Sequence, residues 1–254
     1  MPTGSDLADA ALVSAIFVLG GLVKGIAGFG LPTISLGLLA LTRPLPEAIP
    51  LILLPTLATN VWQALGSGAL WPILQRLWGF LTAAALGTFL AAGQLSRADA
   101  ALLAGLLGAL MAASAALALL GPRWPVPPPR AERWLSPLMG GASGAIAGLT
   151  GSFMMPAAPW LAALRLSPDT FVQAFALGAV VATMVLGLTM AGHGLLPPGL
   201  GLASAAVLVP AFLGMAIGRR LRGAMSEQAF RRVVQAFLLV LGLYLTVRNF
   251  GWGQ

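Results

Sequence analysis

The sequence predicts an all-α, polytopic membrane protein made of two inverted repeats with broken or re-entrant helices. Three observations support this fold class. Hydrophobic residues make up 58% of the 254 residues, charged residues only 8%, and the mean hydropathy is +0.92, whereas a soluble domain needs more polar surface. Apolar runs long enough to cross a bilayer recur along the chain. Glycine-rich breaks interrupt the runs that open the two halves, a pattern typical of duplicated membrane folds.

The apolar runs predict eight to ten membrane segments. A bilayer core about 30 Å thick takes roughly 20 residues of helix for each crossing. The runs cover residues 7–42, 48–65, 71–90, 98–120, 135–164, 171–191, 199–218 and 230–247. Stretches such as Ala100 to Leu120 lack the alternation of polar and apolar residues that membrane-spanning strands show. We therefore expect helices throughout.

A proline-rich segment divides the chain into two halves. We expect residues 1–120 to form the first membrane repeat, residues 121–133 a stiff linker, and residues 134–254 the second repeat. Weak internal similarity supports the duplication. Three pairs of segments match in the same order: Ile26-Ala27-Gly28 with Ile146-Ala147-Gly148, Pro46-Glu47 with Pro168-Asp169, and Leu95-Ser96 with Met225-Ser226.

Length and charge predict the path of the chain through the membrane. As a single helix the first run would be about 54 Å long, so it must break or turn back. If both glycine-rich segments continue across, the arginines divide eight to five between the two faces; if both form hairpins, they divide ten to three. The positive-inside rule favours the second division. The charges support the second hairpin, whereas the first follows from length and symmetry. We expect five elements per half, both termini outside the cytoplasm and the linker inside it.

Composition argues against several functional classes. With no cysteine and one histidine, we expect no metal and no cofactor, and no membrane-embedded acid–base pair for an enzyme. The net charge of +7 comes from arginines in short gaps between apolar runs, so we expect no nucleic-acid partner. The first residues lack the basic region of a cleavable signal, and we expect the first helix to be retained. Without a nucleotide-binding loop, ATP could drive the protein only through another chain.

The two glycine-rich breaks are the first candidates for a binding site. The residues concerned are Gly25, Gly28 and Gly30 in the first half, and Gly148, Thr150, Gly151 and Ser152 in the second. A glycine-rich turn inside a bilayer is tolerated only against protein or a water-filled cavity. Helix starts beside such a turn point N–H groups at the cavity, which suits an anion. The alternative is close helix packing through pairs such as Gly21 and Gly25.

Polar residues inside the apolar runs are the second group of candidates. Lys24 is the only lysine and the only basic residue deep within a run, where a cation is costly and usually functional. The alternative is a lysine that extends from a tilted helix end to the headgroups. Thr56, Thr59 and Asn60 share one face of the next run, and Gln173 lies in the corresponding run of the second half. These side chains are expected to contact substrate oxygens, or else to hydrogen-bond between helices.

The ordered motifs resemble those of the TauE/SafE family of sulfite and organosulfonate exporters, which includes permeases of the 4-toluene sulfonate uptake type. The resemblance rests on residues 21–32, on Arg43-Pro-Leu-Pro-Glu-Ala48, on Thr59-Asn60, and on residues 144–151 followed by Pro156. It extends from about Val18 to Leu245. It implies an inner-membrane protein with a duplicated helical core. Many members carry more glycines at the second motif, where this chain has Ser152-Phe153-Met154-Met155.

These observations predict a secondary transporter or facilitator that exports a small anion across the bacterial inner membrane. The resemblance implies sulfite or an organosulfonate such as sulfoacetate as the substrate. Glu47 and Asp169 follow prolines at helix starts, where capping is the expected role. An importer or exchanger of another solute, such as an organic acid, is an alternative, and so is a non-transporting membrane subunit. The expected partners are a small anionic solute, the lipid bilayer and possible further copies of the chain.

Overall fold

The computed structural model describes residues 4–66, 68–95, 97–121, 125–196, 199–222 and 226–250. In these residues the regular structure is entirely helical, which confirms the predicted all-α class. The helices are α1 (Gly4–Ala27), α2 (Leu31–Leu39), α3 (Leu45–Ala64), α4 (Leu70–Ala92), α5 (Ala100–Leu120), α6 (Pro129–Thr150), α7 (Ala157–Ala163), α8 (Pro168–Gly192), α9 (Leu200–Ala206), α10 (Leu208–Leu221) and α11 (Glu227–Phe250).

Seven helical stretches in the described residues are long and apolar enough to cross a membrane. They are α1, α3, α4, α5, α8, the continuous stretch of α9 and α10, and α11. Helix α6 is also 22 residues long but carries Arg130, Glu132 and Arg133 near its start. Helices α2 and α7 have only nine and seven residues, too few to cross. The polytopic character predicted from composition is confirmed.

The first glycine-rich break is a hairpin. Helix α1 ends at Ala27, and the chain then passes Gly28 and Gly30, which have φ angles of 87° and 105°, a conformation that glycine adopts without steric cost. Helix α2 returns along α1. The two helices pack so closely that a Cβ on Gly20 of α1 would lie 2.6 Å from the Ser35 hydroxyl of α2. Beyond α2, Arg43 forms an ion pair of 2.6 Å with Asp9 near the start of α1. The hairpin therefore enters and leaves at the same end of the molecule.

The second break also returns the chain to the end from which α6 started. Gly148 near the end of α6 packs against Thr88 and Ala92 at the end of α4. Gly151 then ends α6 with a φ of 73°. The next long helix, α8, begins at the opposite end, where Gln173 bonds the backbone of the loop between α3 and α4. Residues 151–167, including α7, therefore run back alongside the bundle.

The closest contacts between the halves follow a reciprocal pattern. Helix α1 runs parallel to α10, and helix α4 runs parallel to α6, so the first element of each half packs on the fourth element of the other. Helices α3 and α8 are antiparallel, as are α5 and α11. Inverted repeats would produce these pairings, because a two-fold axis in the membrane plane reverses each helix. The inverted repeat itself stays a prediction.

The proline-rich segment is partly helical. Helix α6 begins at Pro129, inside the segment 121–133 expected to be a linker, because proline suits the first position of a helix. Glu132 in the first turn of α6 accepts two bonds from Arg76 of α4, of 2.7 and 2.9 Å. Residues 122–124 of the linker lie outside the described residues, as do Ser96 and Met225 of the repeat anchors. The division into two repeats and a linker stays a prediction.

Candidate functional site

A closed cavity lies between the two helix breaks. Its volume is about 10 Å³, roughly the minimum that admits one water molecule. Its lining combines five polar side chains with apolar side chains, glycines and alanines. The lining residues are Lys24, Gly30, Pro32, Thr33, Thr56, Asn60, Ala147, Gly151, Phe153, Met154, Phe175, Ala179, Ala182, Thr183 and Leu186. The structure thus brings both breaks, Lys24 and α3 to one place.

Lys24 is buried in this cavity without a counter-ion. Its side chain is 1% exposed, and its ammonium donates a bond of 2.5 Å to the amide oxygen of Asn60. The Asn60 amide nitrogen donates in turn to the carbonyl of Thr56 at 2.8 Å, which fixes the amide with its oxygen toward Lys24. The ion pairs found in the described residues join Arg43 to Asp9 and Arg76 to Glu132. Among the described residues, the bonded partner of Lys24 is therefore neutral.

Thr56 adds another polar group to the cavity, and its hydroxyl has no partner among the described residues. Its side chain is 2% exposed. Burying a hydroxyl without a partner costs about 1–3 kcal/mol. Thr56 lies one helical turn before Asn60 on the face of α3 that lines the cavity. Its hydroxyl is thus available to a ligand next to the ammonium.

The start of α2 closes another side of the cavity. Gly30 precedes the helix, and the first bond into it joins the amide of Ile34 to the Gly30 carbonyl. The N–H groups of Leu31 and Thr33 precede that bond and have no partner within the helix. The Thr33 hydroxyl lies 2.8 Å from the Ser152 hydroxyl, so one hydrogen bond links the two breaks directly. The positive end of the α2 dipole adds to the potential of Lys24.

The five predicted glycines have different positions relative to the cavity. Gly30 and Gly151 line it, but Gly25 packs against α10, where a Cβ would overlap the carbonyl of Met215. Gly148 likewise lies against the backbone of α4. Gly28 forms the turn itself, and its carbonyl accepts a bond of 2.8 Å from the Gln63 amide. The sequence therefore identifies where glycine is needed, and the structure separates turns from close packing.

The remaining predicted polar residues are not among those that line the cavity, and they bond to protein. Thr59 donates to the Pro55 carbonyl at 2.6 Å, and Thr150 donates to the Ile146 carbonyl at 2.8 Å, as threonines in helices often do. Gln173 donates to the Ala64 carbonyl at 2.6 Å and accepts from the Ala69 amide at 3.1 Å. Gln173 thus ties α8 to the last residue of α3 and to Ala69, which precedes α4.

Sequence reasoning did not single out the apolar part of the cavity. Phe153, Met154, Phe175 and Leu186 line it, and the rings of Phe153 and Phe175 lie 6.0 Å apart between centroids. Apolar side chains in an apolar sequence carry no distinguishing pattern. The one available signal was the run Phe153-Met154-Met155, which directly follows Gly151 where many members of the resembled family have glycines.

A much larger cavity opens at the end of the molecule where α1 begins. Its volume is about 840 Å³, and Asp9, Arg43 and Glu47 line it together with Leu51 and other apolar residues. On α8 it reaches Met190, one helical turn from Leu186 of the closed cavity. We call this larger cavity the funnel.

A small cavity lies at the opposite end of the molecule. It has about 10 Å³ and lies between α11 and the first break, lined in part by Phe29, Arg231 and Gln235. It shares Gly30 and Met154 with the closed cavity. The three cavities therefore form an interrupted series through the molecule, wide at the funnel end.

A polytopic helical bundle with an interrupted series of cavities around a buried cation is typical of membrane transport proteins. The family model of the sulfite exporter TauE/SafE matches residues 13–245. The chain therefore belongs to the TauE/SafE family, as the resemblance in its motifs indicated. Neither a curated protein nor a solved structure matches it significantly. The family implies a membrane transporter of the sulfite or related anion type.

Proposed function

We propose that the protein is a secondary transporter or facilitator that exports a small anion, sulfite or an organosulfonate such as sulfoacetate, across the bacterial inner membrane. The proposal rests on one observation: the ammonium of Lys24 is fully buried, and its bonded partner is the neutral Asn60. An uncompensated buried charge is strongly unfavourable. A bound anion would neutralise it, and the Thr56 hydroxyl and the start of α2 would supply further hydrogen bonds.

The membrane potential favours export over uptake for such a substrate. Moving one negative charge out of a cytoplasm that is negative inside gains about 2.3 kcal/mol per 100 mV. No carboxylate is found among the described residues that line the closed cavity, so the proposal needs no proton relay through it. The same lining offers no carboxylate–histidine or carboxylate pair for acid–base chemistry, which supports transport over an enzymatic role.

The arginines support an orientation in which the funnel opens away from the cytoplasm. The funnel end of the described structure carries Arg43, Arg97 and Arg248. The opposite end carries Arg76, Arg130, Arg133, Arg165, Arg219, Arg220, Arg222, Arg231 and Arg232. By the positive-inside rule the second end is cytoplasmic. The anion would then enter near α11 and leave through the funnel.

The proposal is tested by sulfite efflux from proteoliposomes that contain wild type, Lys24→Met or Lys24→Arg. Lys24→Met keeps the length of the side chain and removes its charge. We expect efflux to fall at least about tenfold, because the anion would lose one charge-assisted hydrogen bond. Lys24→Arg keeps the charge and should retain part of the activity. An inside-negative potential should accelerate efflux by wild type.

Asn249→Ala is the control for a general effect of substitution, because the Asn249 amide bonds the Leu245 carbonyl near the end of α11, away from the closed cavity. Normal efflux by Lys24→Met would contradict the proposed site. Efflux that does not respond to the potential would contradict the proposed driving force.

A further inference from the structure

We propose that a groove between α3 and α8 holds an acyl chain of a membrane lipid, and that this chain lies behind the barrier between the closed cavity and the funnel. The acyl-chain site stands on its own, whereas its part in transport rests on the proposed function. The groove has a volume of about 380 Å³. Its main lining on these two helices consists of Leu53, Leu54, Leu57, Met184, Gly187 and Leu188.

The chemistry of the lining favours a hydrocarbon occupant. Among the described residues that line the groove, none is charged, and the polar side chains are those of Thr183 and Ser204. The Ser204 hydroxyl already donates to the Leu51 carbonyl at 3.0 Å. A bound water needs two to four polar partners, and an empty groove would deprive its lining of packing contacts. An apolar chain satisfies this lining best.

The surrounding bilayer supplies such a chain. Helices α3 and α8 are both long and apolar enough to cross the membrane. The groove residues Leu54, Met184 and Leu188 are 38%, 49% and 70% exposed, so the groove is continuous with the surface that faces lipid. A helix of a second copy is at least about 10 Å wide, and a groove of about 380 Å³ would hold less than one turn of it. The groove therefore fits a lipid chain better than a second copy.

The segments that line the groove also separate the closed cavity from the funnel. On α3 the funnel lining ends at Leu51, and the lining of the closed cavity begins at Thr56. On α8 the two linings are separated by residues 187–189. Leu53 and Gly187, one from each separating segment, line the groove. An anion that passes from the closed cavity to the funnel must displace these segments, and the groove is the space beside them.

Pro55 weakens α3 within this barrier. It lies inside the helix and has no N–H, so the Leu51 carbonyl lacks its usual partner one turn ahead. The Ser204 hydroxyl of α9 replaces that partner at 3.0 Å and accepts a bond of 3.3 Å from the Leu54 amide. The segment is thus held partly by another helix. A lipid chain can give way when the segment moves, whereas a side chain fixed in the groove cannot.

Photo-cross-linking tests the occupant. The protein is reconstituted with phosphatidylcholine that carries a diazirine in the middle of one acyl chain, and cross-linked residues are identified by mass spectrometry. We expect cross-links at Leu53 and Leu57, which are half-buried in the groove. Gly187→Leu should lose them, because a Cβ on Gly187 meets only Leu53, at 3.8 Å, and the added side chain would fill the groove. Gly192→Leu, outside the groove and with open space at its Cβ, should keep them.

Sulfite efflux from proteoliposomes tests the part in transport. Gly187→Leu should slow efflux about tenfold, because the barrier segments would have to move into occupied space. Gly192→Leu should transport like wild type. Gly201→Leu is a second variant that fills the groove, since Gly201 lines it and no atom lies within 4 Å of a Cβ built there. It provides the same test if Gly187→Leu does not fold.

The outcomes separate this inference from the proposed function. Wild type without cross-links at Leu53 and Leu57 would overturn the lipid site, and rapid disulfide-linked dimers of Met184→Cys would identify a second copy as the occupant instead. Efflux by the groove-filling variants equal to that of Gly192→Leu would overturn the link to the barrier. If wild type shows no sulfite efflux, the proposed function and the part in transport fail together, whereas the cross-links still decide the occupant.

Discussion

At the level of single residues, the chemistry centres on the contact between Lys24 and Asn60. The bond of 2.5 Å places a neutral acceptor where a carboxylate would neutralise the cation. The amide keeps the ammonium oriented but leaves its charge available. The proposed site differs in this respect from the ion pair between Arg76 and Glu132, in which the two charges are opposite.

Asn60→Asp should therefore slow transport strongly while preserving the fold. The new carboxylate has the size of the amide and would pair with Lys24 directly, so the anion would have to compete with an internal counter-ion. We expect efflux to fall at least about tenfold, with an unfolding temperature equal to or above that of wild type. Asn249→Asp, the same exchange near the end of α11, is the control. Efflux near the wild-type level in Asn60→Asp would argue against Lys24 as the anion partner.

The sequence predicted Lys24, Thr56 and Asn60 as site residues, and the structure places all three around one cavity. Their signal was strong because polar groups are rare in an apolar run and must have a partner. Thr59 carries the same signal, yet its hydroxyl bonds Pro55 in its own helix. Sequence cannot separate these cases, because the direction of a hydroxyl depends on side-chain torsion and on the neighbouring helices.

At the level of helices, glycines set how closely the two halves approach. A Cβ on Gly214 would overlap the carbonyl of Val18, and one on Gly144 would overlap the carbonyl of Ala84. Helices in membranes associate mainly through such close packing. The sequence offered close packing of glycine pairs as an alternative to a binding site. Gly21, Gly25, Gly144 and Gly148 do pack against neighbouring helices in this way, whereas a separate set of glycines forms the turns.

Gly214→Ala should destabilise the protein by about 1–3 kcal/mol, because α1 and α10 would have to move apart to admit one methyl group. Gly192→Ala is the matched control, since no atom lies within 4 Å of a Cβ built there and alanine favours the helix. Thermal unfolding in detergent measures both. Equal unfolding temperatures for the two variants would show that α1 and α10 do not depend on this contact.

The hydrogen bond between Thr33 and Ser152 joins the two breaks, and its contribution can be measured by a double-mutant cycle. Thr33→Val and Ser152→Ala should each lower stability, and the double variant should lose about 1 kcal/mol less than the sum. If the breaks separate during transport, the variants should also change the efflux rate. Additive losses in stability would show that the two hydroxyls do not interact.

Length and symmetry predicted the first hairpin correctly, because a run of this size cannot cross as one helix. The start of α6 was less accessible to prediction. Pro125, Pro127, Pro128 and Pro129 are typical of a stiff linker, but proline at the first turn also suits a helix. The bonds from Arg76 to Glu132 depend on a helix more than fifty residues away. Tertiary contacts of this kind leave no local pattern.

For the molecule as a whole, orientation is the main testable feature. The chain contains no cysteine, so single cysteines can be labelled without further substitution. We expect Ser14→Cys, in the funnel, to react with a membrane-impermeant maleimide in intact spheroplasts. Ser226→Cys, exposed just before α11 at the arginine-rich end, should react only after the membrane is opened. The reverse pattern would contradict the proposed orientation, and a C-terminal tag found in the cytoplasm would do so independently.

The pairing of α1 with α10 has a consequence for biosynthesis. Gly21 and Gly25 of α1 meet Ala211, Met215 and Gly218 of α10, which the ribosome adds almost two hundred residues later. During that interval α1 has entered the bilayer without its neighbour, and the helix that carries Lys24 faces lipid or the insertion machinery. The early half of the chain can complete its assembly only when the late half arrives, so a nascent chain interrupted before α10 would leave the glycine face of α1 without its partner and become a target for degradation.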